Sequence, residues 1–361
     1  MAKTAQQILG QPYLTELVQE IKTGIPDLLP GEFNTIKDQV FGDAARHIRV
    51  QGVRQVARQS IYGSPPRRRT PVGLSEQDVK LLHFNEAVEL KVQDFMNLRE
   101  YDRYVVQQLG IQEISRMAAN ARQLFDNARI AAKMSMLAYG AIYFDVDGNI
   151  TTSASTGITM DYGVSAAHKN QLNGIIGASW ATAGTDIPTD ILQIKDQALI
   201  DTGYSLEGGY AFYGRNIPSY FAGNTLMLQY LARHPQFRER FMDTLEIPDG
   251  LFGLKWRRVS GGFFNDQNDA STAFFGVDAV TFTPPVDRSW YTFLEGSYPV
   301  PTTFGPMPSL EAAAESFDWR YGIGSYAVPM QKVPSAELIF FDTQLPWLKV
   351  PDSIFIADVT P

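Results

Sequence analysis

The side chains with the clearest chemical potential form a basic segment in the first quarter of the chain. Residues 44–75 contain seven arginines and no acidic residue, although the 361-residue chain carries a formal net charge of −8. Guanidinium groups bind carboxylates and phosphates through paired hydrogen bonds. Because the rest of the chain is acidic and Tyr62 is the only aromatic residue of the segment, docking on an acidic protein surface is favoured, with nucleic-acid binding as an alternative. The arginines are Arg46, Arg49, Arg54, Arg58, Arg67, Arg68 and Arg69.

Residues that usually hold metals or act as nucleophiles are few. The chain has no cysteine, which excludes disulfides, thiol catalysis and cysteine-ligated metal sites. It also contains no P-loop, no Gly-x-Gly-x-x-Gly fingerprint and no Gly-x-Ser-x-Gly elbow. Four histidines lack the His-x-x-x-His spacing of a metal site and are predicted to be ordinary surface or core residues. They are His47, His83, His168 and His234.

One short acidic loop has the beginning of a calcium site but not its end. Asp145, Asp147 and Asn149 match the first ligand positions of a calcium-binding loop. Ile150 stands where the loop requires glycine, and Thr156 stands where it requires a bidentate glutamate. The sequence therefore predicts no metal, no cofactor and no catalytic site. A hydrolase that uses two carboxylates remains the alternative from another class, because any acidic chain offers many carboxylate pairs.

The basic segment is predicted to form a long flap over residues 52–92. Apolar residues in the segment favour extended structure, Pro65 and Pro66 mark a loop tip, and residues 76–95 return with a broken period of two. A lone two-stranded ribbon is marginally stable in water, so the flap needs a surface to lie on. A neighbouring subunit is the expected surface, with Arg54, Arg58, Arg67, Arg68 and Arg69 as the intersubunit contacts.

A long helix follows the flap. Residues 98–138 carry apolar residues at alternating steps of three and four, rich in alanine, which predicts a helix packed closely on a sheet. The stripe consists of Met117, Ala121, Leu124, Ala128, Ala131, Met134 and Ala138. Gly140 is expected to end this helix. The Asp147-Gly148 turn then predicts a β-hairpin.

The second half of the chain has the pattern of a mixed α/β region. Pro188 and Gly203 are expected at the start and the end of one helix, and residues 210–213 form a strand between glycines. A single helix is predicted from Ile217 to Leu231, followed by a β-rich segment over 251–304. No apolar run is long enough to span a bilayer, and the N-terminus lacks a signal peptide, which predicts a soluble protein made in a cytoplasm.

The order of these elements resembles that of tailed-bacteriophage major capsid proteins with the Hong Kong 97-type fold, and in particular the lambda-type proteins of the E family. Three sequences carry the resemblance: Trp180 with Asp186-Ile-Pro-Thr-Asp-Ile191, the strand–helix unit from Gly209 to Phe221, and the tail from Leu345 to Ile356. The segment from Val259 to Phe304 departs most from the family pattern. The resemblance implies an α+β fold with an N-terminal arm, an extended E-loop, a peripheral domain with a long spine helix, and an axial domain.

The resemblance also implies an organisation and a set of partners. Its segments are an arm over 1–51, the E-loop flap over 52–92, the peripheral domain over 93–178, the axial domain over 179–318, a peripheral return strand over 319–344 and axial closing strands over 345–361. The expected partners are copies of the chain in pentamers and hexamers, a scaffolding protein, a portal, an optional decoration protein, and packaged double-stranded DNA bound without sequence specificity. The virion is the expected location, after assembly in the host cytoplasm. A protein-cargo nanocompartment of the same fold is the alternative.

Two expectations concern covalent chemistry. The arm begins within about a dozen residues of Met1, so no cleavage of an N-terminal scaffolding segment is expected. Some relatives join a flap lysine to an asparagine of a neighbour, but this chain has no lysine between Asp38 and Val79. Arginine stays protonated and is a poor nucleophile, so the shell is expected to be held non-covalently.

Overall fold

The computed structural model describes residues 11–20, 29–42, 44–50, 74–91, 103–152, 157–169, 175–265, 268–301, 317–329 and 335–360. The helices are α1 (Gln11–Glu20), α2 (Glu32–Thr35), α3 (Arg103–Tyr139), α4 (Ile187–Thr202), α5 (Ile217–Gly223), α6 (Thr225–Ala232) and α7 (Pro235–Thr244). The strands of the first half are β1 (Lys37–Val40), β2 (Ala44–Val50), β3 (Leu74–Lys80), β4 (Leu82–Lys91), β5 (Ala141–Phe144), β6 (Ile150–Thr151) and β7 (Thr159–Asp161). Those of the second half are β8 (Tyr210–Tyr213), β9 (Lys255–Arg258), β10 (Gly262–Asn265), β11 (Asn268–Ala273), β12 (Ala279–Thr283), β13 (Tyr291–Pro301), β14 (Phe317–Tyr321), β15 (Ile323–Pro329), β16 (Ser335–Leu348) and β17 (Phe355–Asp358).

Helix α3 is the longest described helix, at 37 residues, and it packs an alanine-rich face on a sheet as predicted. Ala118 and Ala121 are buried against Ile323 of β15 and Phe340 of β16. The helix ends at Gly140, whose φ of +61° is left-handed and therefore suits a residue without a β-carbon. The assignment of Leu124 to the buried stripe is wrong, because Leu124 is 53% exposed and the adjacent Phe125 is buried instead.

A six-stranded sheet lies under α3. Its main path runs β1-β13-β16-β15, with β14 also paired to β13 and β4 paired to β16. The sheet takes β4 from the range assigned to the flap and β13 from the range assigned to the axial domain. A period-two pattern cannot tell a flap strand from a sheet strand, because both alternate their side chains in the same way. A separate three-stranded sheet, β6-β5-β7, contains the predicted hairpin.

A second, smaller sheet has four strands in the order β17-β12-β8-β9, and helices α4–α7 pack against it. Helix α4 begins and ends where the sequence indicated, with the Asp186 carboxylate accepting the Thr189 N–H and with Gly203 at the C-cap. The predicted single helix over 217–231 is wrong, because Asn224 has extended backbone and divides it into α5 and α6. The Asn224 side chain accepts the Met227 N–H at 2.8 Å and so starts the second helix.

The two sheets share one apolar core. Phe33, within the range assigned to the N-terminal arm, has its ring centroid 5.0 Å from that of Tyr291 of the large sheet and 5.8 Å from that of Phe212 of the small sheet. The buried hydroxyl of Thr281 in β12 donates to the carbonyl of Leu137 at the end of α3. These contacts fix the two sheets against each other. No described helix combines the length and hydropathy that a membrane span requires.

Candidate intersubunit surface

The base of the flap is a β-ribbon whose first strand, β2, lies in the range assigned to the arm, before the predicted flap begins at residue 52. Strands β2 and β3 pair antiparallel from Ala44 opposite Lys80 to Val50 opposite Leu74, and they form a two-stranded sheet of their own. The five arginines assigned to intersubunit contact, and the proline tip, lie in the range 51–73, outside the described residues. Where those five side chains lie is therefore a prediction that stands on the sequence and on the geometry of the ribbon's base.

The charge of the ribbon is uneven along its length. The register places Arg46 opposite Asp78 and Ile48 opposite Glu76, so the returning strand brings acidic residues beside the start of the basic segment. Counting along the chain misses this balance, because both acids lie just beyond residue 75. Residues 51–73 retain five arginines with no acid or lysine. The unbalanced positive charge of the flap is therefore concentrated beyond the paired base.

The root of the flap is fastened to the large sheet. Strand β1 pairs parallel with β13, and the chain turns at Gly42, whose φ of +88° is left-handed. The Gly42 N–H donates to the Ser297 hydroxyl at 2.7 Å. Beside it, the Phe41 ring lies 4.6 Å from that of Trp319, and both side chains are largely exposed. The ribbon therefore leaves the body from a held turn and not from a free loop.

Ion pairs reinforce β1 on both sides. The Lys37 ammonium lies 2.9 Å from Glu295. The Asp38 carboxylate accepts the Thr292 hydroxyl at 2.9 Å and lies 3.7 Å from Arg288 and 3.6 Å from Lys349. Such pairs contribute little singly when exposed, but together they fix the register of a four-residue strand.

Arg129 of α3 joins the long helix to the same network. Its Nε and Nη2 donate to the two oxygens of Asp342 at 2.8 and 2.7 Å, and its Nη1 donates to Glu295 at 3.3 Å. Asp342 is completely buried. Burial would lower the pKa of the Arg129 guanidinium, but the charges of Asp342 and Glu295 outweigh it and raise that pKa above its ordinary value. Through Glu295, one carboxylate connects the long helix with the flap root.

Burial and neighbouring charges also act in opposite directions on the pKa of Glu295. Burial would raise the pKa of its carboxyl, but the charges of Arg129 and Lys37 hold it below its ordinary value. Sequence reasoning missed this cluster because its members lie 166 and 213 residues apart in the chain. The only available signal, an arginine within an apolar helix, is too common to identify a partner.

The hairpin of the small three-stranded sheet carries acids beside exposed apolar residues. Val146 and Ile158 are 80% and 77% exposed. The Asp145 carboxylate accepts the N–H groups of Asp147 and Asn149 at 2.9 and 2.8 Å, so it holds the turn. Loss of solvation would raise the pKa of Asp145, but these hydrogen bonds lower it. Among the described residues, no three acids or histidines converge as a metal site would require.

Two of the histidines, His168 and His83, make contacts within the body of the protein. His168 is buried, with Nε2 3.0 Å from Asp201 and Nδ1 3.3 Å from the carbonyl of Ile354. His83 Nδ1 lies 3.1 Å from the Thr343 hydroxyl. These contacts bind α4 and β4 to their neighbours.

Trp180 and Asp190, two residues of the first resemblance segment, meet in the axial core. The Trp180 Nε1–H donates to the Asp190 carboxylate at 3.0 Å, and both side chains are buried. Burial raises the pKa of Asp190 to about 6, against the opposing effect of the Trp180 hydrogen bond. This hydrogen bond fixes the segment before α4, which contains Trp180, to the first turn of that helix.

Comparisons with known proteins give one family match and several structural similarities. A family model described as phage major capsid protein E matches residues 48–295, which is more than half of the chain and includes most of the segment 259–304. A crystal structure of a phage-related protein from Bordetella bronchiseptica RB50 covers 97% of this chain and 97% of its own, at 10% identity and a TM-score of 0.50. A prophage capsid protein of E. coli CFT073 covers 80% of both chains at 12% identity and a TM-score of 0.47. The mature capsid of bacteriophage PhiM1 covers 94% of this chain and 89% of its own, at 14% identity and a TM-score of 0.46.

No curated protein sequence matches the chain. The family match extends from the end of β2 through β3, the long helix, the hairpin and three of the four strands of the axial sheet. The predicted α+β class and fold are confirmed, and the paired-carboxylate hydrolase is excluded because the family is structural. The chain therefore belongs to the phage major capsid protein E family and is a structural subunit of a virion shell, not an enzyme.

Proposed function

We propose that this capsid protein forms the icosahedral head shell of a tailed bacteriophage around double-stranded DNA, as pentamers and hexamers locked together by the flap. The flap of each subunit lies across a neighbour, with Arg54, Arg58, Arg67, Arg68 and Arg69 against its carboxylates. One observation carries the proposal: among the described strands, those of the ribbon pair with each other and with no third strand, while the ribbon's root is held on the large sheet and its distal charge is unbalanced.

The energetics require a partner for the ribbon. Two strands without a third are marginally stable, so the ribbon gains stability when a surface covers it. Exposed ion pairs contribute about 0–1 kcal/mol each, so five arginines act mainly through their number and partial burial. Copies that overlap in a shell also gain avidity, because each contact becomes intramolecular once its neighbours have formed.

Several exposed carboxylates on the peripheral domain fit the receiving role. Asp161 on β7 has a side chain that is 60% exposed and lies 3.5 Å from the Lys169 ammonium, and Asp147 lies exposed at the hairpin turn. Glu113 on α3 is 38% exposed and pairs with Arg116, so a flap arginine would compete there with a weak surface ion pair. These acids lie along the route from α3 to the hairpin, which the neighbour's flap is proposed to cross.

Further partners follow from the family and remain proposals for this chain. A scaffolding protein and a portal would guide assembly in the host cytoplasm, and a decoration protein would bind the outside of the shell. The net charge of −8 fits DNA that is enclosed without sequence-specific contacts.

The flap proposal is tested by assembly of a triple variant, R67S/R68S/R69S. It should fold like the wild type by circular dichroism, yet yield few closed shells in electron micrographs. A matched control, R215S/R233S/R238S, removes the same number of exposed arginines from the axial domain and should assemble normally. Normal shells from the flap variant would contradict the proposal. Purified particles that contain protein cargo and no DNA would instead favour the nanocompartment.

The proposed shell is non-covalent. Wild-type particles heated in denaturing detergent should run as single chains of 40.3 kDa. Intact mass measured on the same sample also reports any N-terminal cleavage. A ladder of covalent multimers on that gel would contradict the non-covalent proposal.

A further inference from the structure

A small basic recess opens on the axial domain, beside the C-terminal ends of β8 and β9. Its volume is about 230 Å³. Six residues set its chemistry: Tyr213, Arg240, Glu246, Asp249, Arg257 and Arg258. Three guanidinium groups and two carboxylates leave the recess with one net positive charge, so a single additional carboxylate would neutralise it.

Two of the three arginines are available for a ligand. Arg257 is committed, since its Nη1 donates to both oxygens of Asp249 at 3.0 and 2.9 Å. Within the part of the chain that the structure describes, the guanidinium groups of Arg240 and Arg258 make no hydrogen bond or ion pair, and both residues are exposed. Leu245, next to Glu246, adds an apolar rim and is 57% exposed. The recess therefore fits a carboxylate presented from an apolar surface.

The exposed face of α4 has the complementary composition. Asp196 is exposed there, with no hydrogen bond or ion pair to another described residue. Around it lie Leu192, Leu199 and Ile200, which are 51%, 39% and 67% exposed. The nearby Lys195 does not neutralise Asp196, because its ammonium donates to Glu207 and to the Phe252 carbonyl. This face offers one free carboxylate within an apolar patch.

The two surfaces do not pair within one subunit, because neither the Asp196 carboxylate nor the guanidinium groups of Arg240 and Arg258 have a hydrogen bond or ion pair to another described residue. A contact between two different surfaces of identical chains is head to tail, and it closes into a ring when the rotation between copies allows it.

We infer that adjacent axial domains pack head to tail, with Asp196 on α4 of one copy entering the recess between Arg240 and Arg258 of the next copy. This inference rests on the proposed assembly into pentamers and hexamers and names the contact that would build each ring. It does not involve the flap, which would connect subunits through the peripheral domain. The two contacts can therefore be tested separately.

Charge exchange tests the pairing. D196R and R258D should each fold normally and reduce the yield of closed shells at least tenfold. The double variant D196R/R258D reverses the net charge of the recess together with that of its ligand, so it should recover most of the yield. Normal assembly of both single variants, or a double variant no better than either single one, would overturn the inference.

Cross-linking tests the geometry without relying on loss of assembly. The chain has no cysteine, so D196C/R258C introduces the only two thiols. A short bis-maleimide should convert assembled D196C/R258C into covalent rings of five and six chains on a denaturing gel, whereas D196C alone should remain monomeric. Covalent dimers alone, or normal shells without cross-links, would refute head-to-tail packing at this site. Neither result would alter the outcome for the flap variant R67S/R68S/R69S.

Discussion

Beneath the long helix, the six-stranded sheet buries an ion pair together with its apolar and aromatic side chains, whereas the sheet under α4–α7 buries apolar and aromatic side chains without an ion pair among the described residues. In the first region, Arg129 lies between two carboxylates, and one of them, Asp342, is completely buried. In the second, Phe221 packs 5.6 Å from Trp256 and 5.9 Å from Trp180. Asp190 is the only buried carboxylate of that core among the described residues, and Trp180 holds it.

The buried ion pair suits the first region because that region has to hold the flap root in one position. Ring packing contributes stability through area and tolerates small shifts between partners. A bidentate ion pair adds little net stability, but it permits only one register, because any displacement leaves a buried charge unpaired. The charged region holds α3 and the flap root, so a defined register there sets where the flap points. We therefore expect stability to depend on both cores and flap geometry to depend on the charged one.

Removing Arg129 should have the largest effect. R129M leaves Asp342 buried without its partner, which should cost about 3–5 kcal/mol in the free energy of unfolding of the unassembled subunit. Chemical denaturation measures this change. The double variant R129M/D342L removes both charges and should regain much of the loss. A cost for R129M below about 1 kcal/mol would mean that the cluster is not the constraint described above.

Overpacking under α3 should come next. Ala121 is 4% exposed against the sheet, so A121L should cost about 1–3 kcal/mol. Ala128 is only partly buried, so A128L should cost less, although the stripe pattern alone predicts equal effects. Thermal or chemical unfolding of the two variants compares them. Equal losses would show that the whole stripe packs as the sequence indicated.

The ring core should show a pH dependence of its own. The folded state raises the pKa of Asp190 to about 6, so it favours the protonated carboxyl. That contribution is fully present below the carboxyl's ordinary pKa of 3.8 and is lost as the pH rises to about 6. The expected loss is on the order of 1–2 kcal/mol. D190N keeps an acceptor for Trp180, and its stability should lack this slope between pH 4 and 7. An unchanged slope would assign the effect to another group.

The smallest effect should come from the exposed residue of the stripe. Leu124 is 53% exposed, so L124A should change the free energy of unfolding of the subunit by less than about 0.5 kcal/mol. A loss near that of A121L would show that α3 is rotated from its described orientation. A loss of assembly without a loss of stability would place Leu124 under a neighbouring subunit.

Local signals in the sequence predicted the local features of the fold. Asp186, Pro188 and Gly203 bound α4 because capping and backbone preferences act over a few residues. Local sequence patterns also predicted the turn at Gly148 and the extended ribbon. The break at Asn224 was missed because its cause is partly tertiary: the Asn224 amide donates to the Thr185 carbonyl at 2.7 Å while its oxygen caps α6.

Long-range features could not be predicted from one sequence. The pairing of β4 with β16 joins residues more than 240 positions apart, and the Arg129 cluster joins three distant segments. The recess and the α4 face also depend on which surfaces the fold leaves uncovered. The intersubunit contacts of the five flap arginines stay a prediction from the sequence.

A density map of assembled particles tests the central claim most directly. Electron microscopy of the purified wild-type chain should show uniform closed shells. In the map, residues 51–73 of each subunit should lie across α3 and the β5–β7 hairpin of a neighbour, with the arginines near its carboxylates. Particles that never close, or a flap folded back onto its own subunit in every position, would contradict the account.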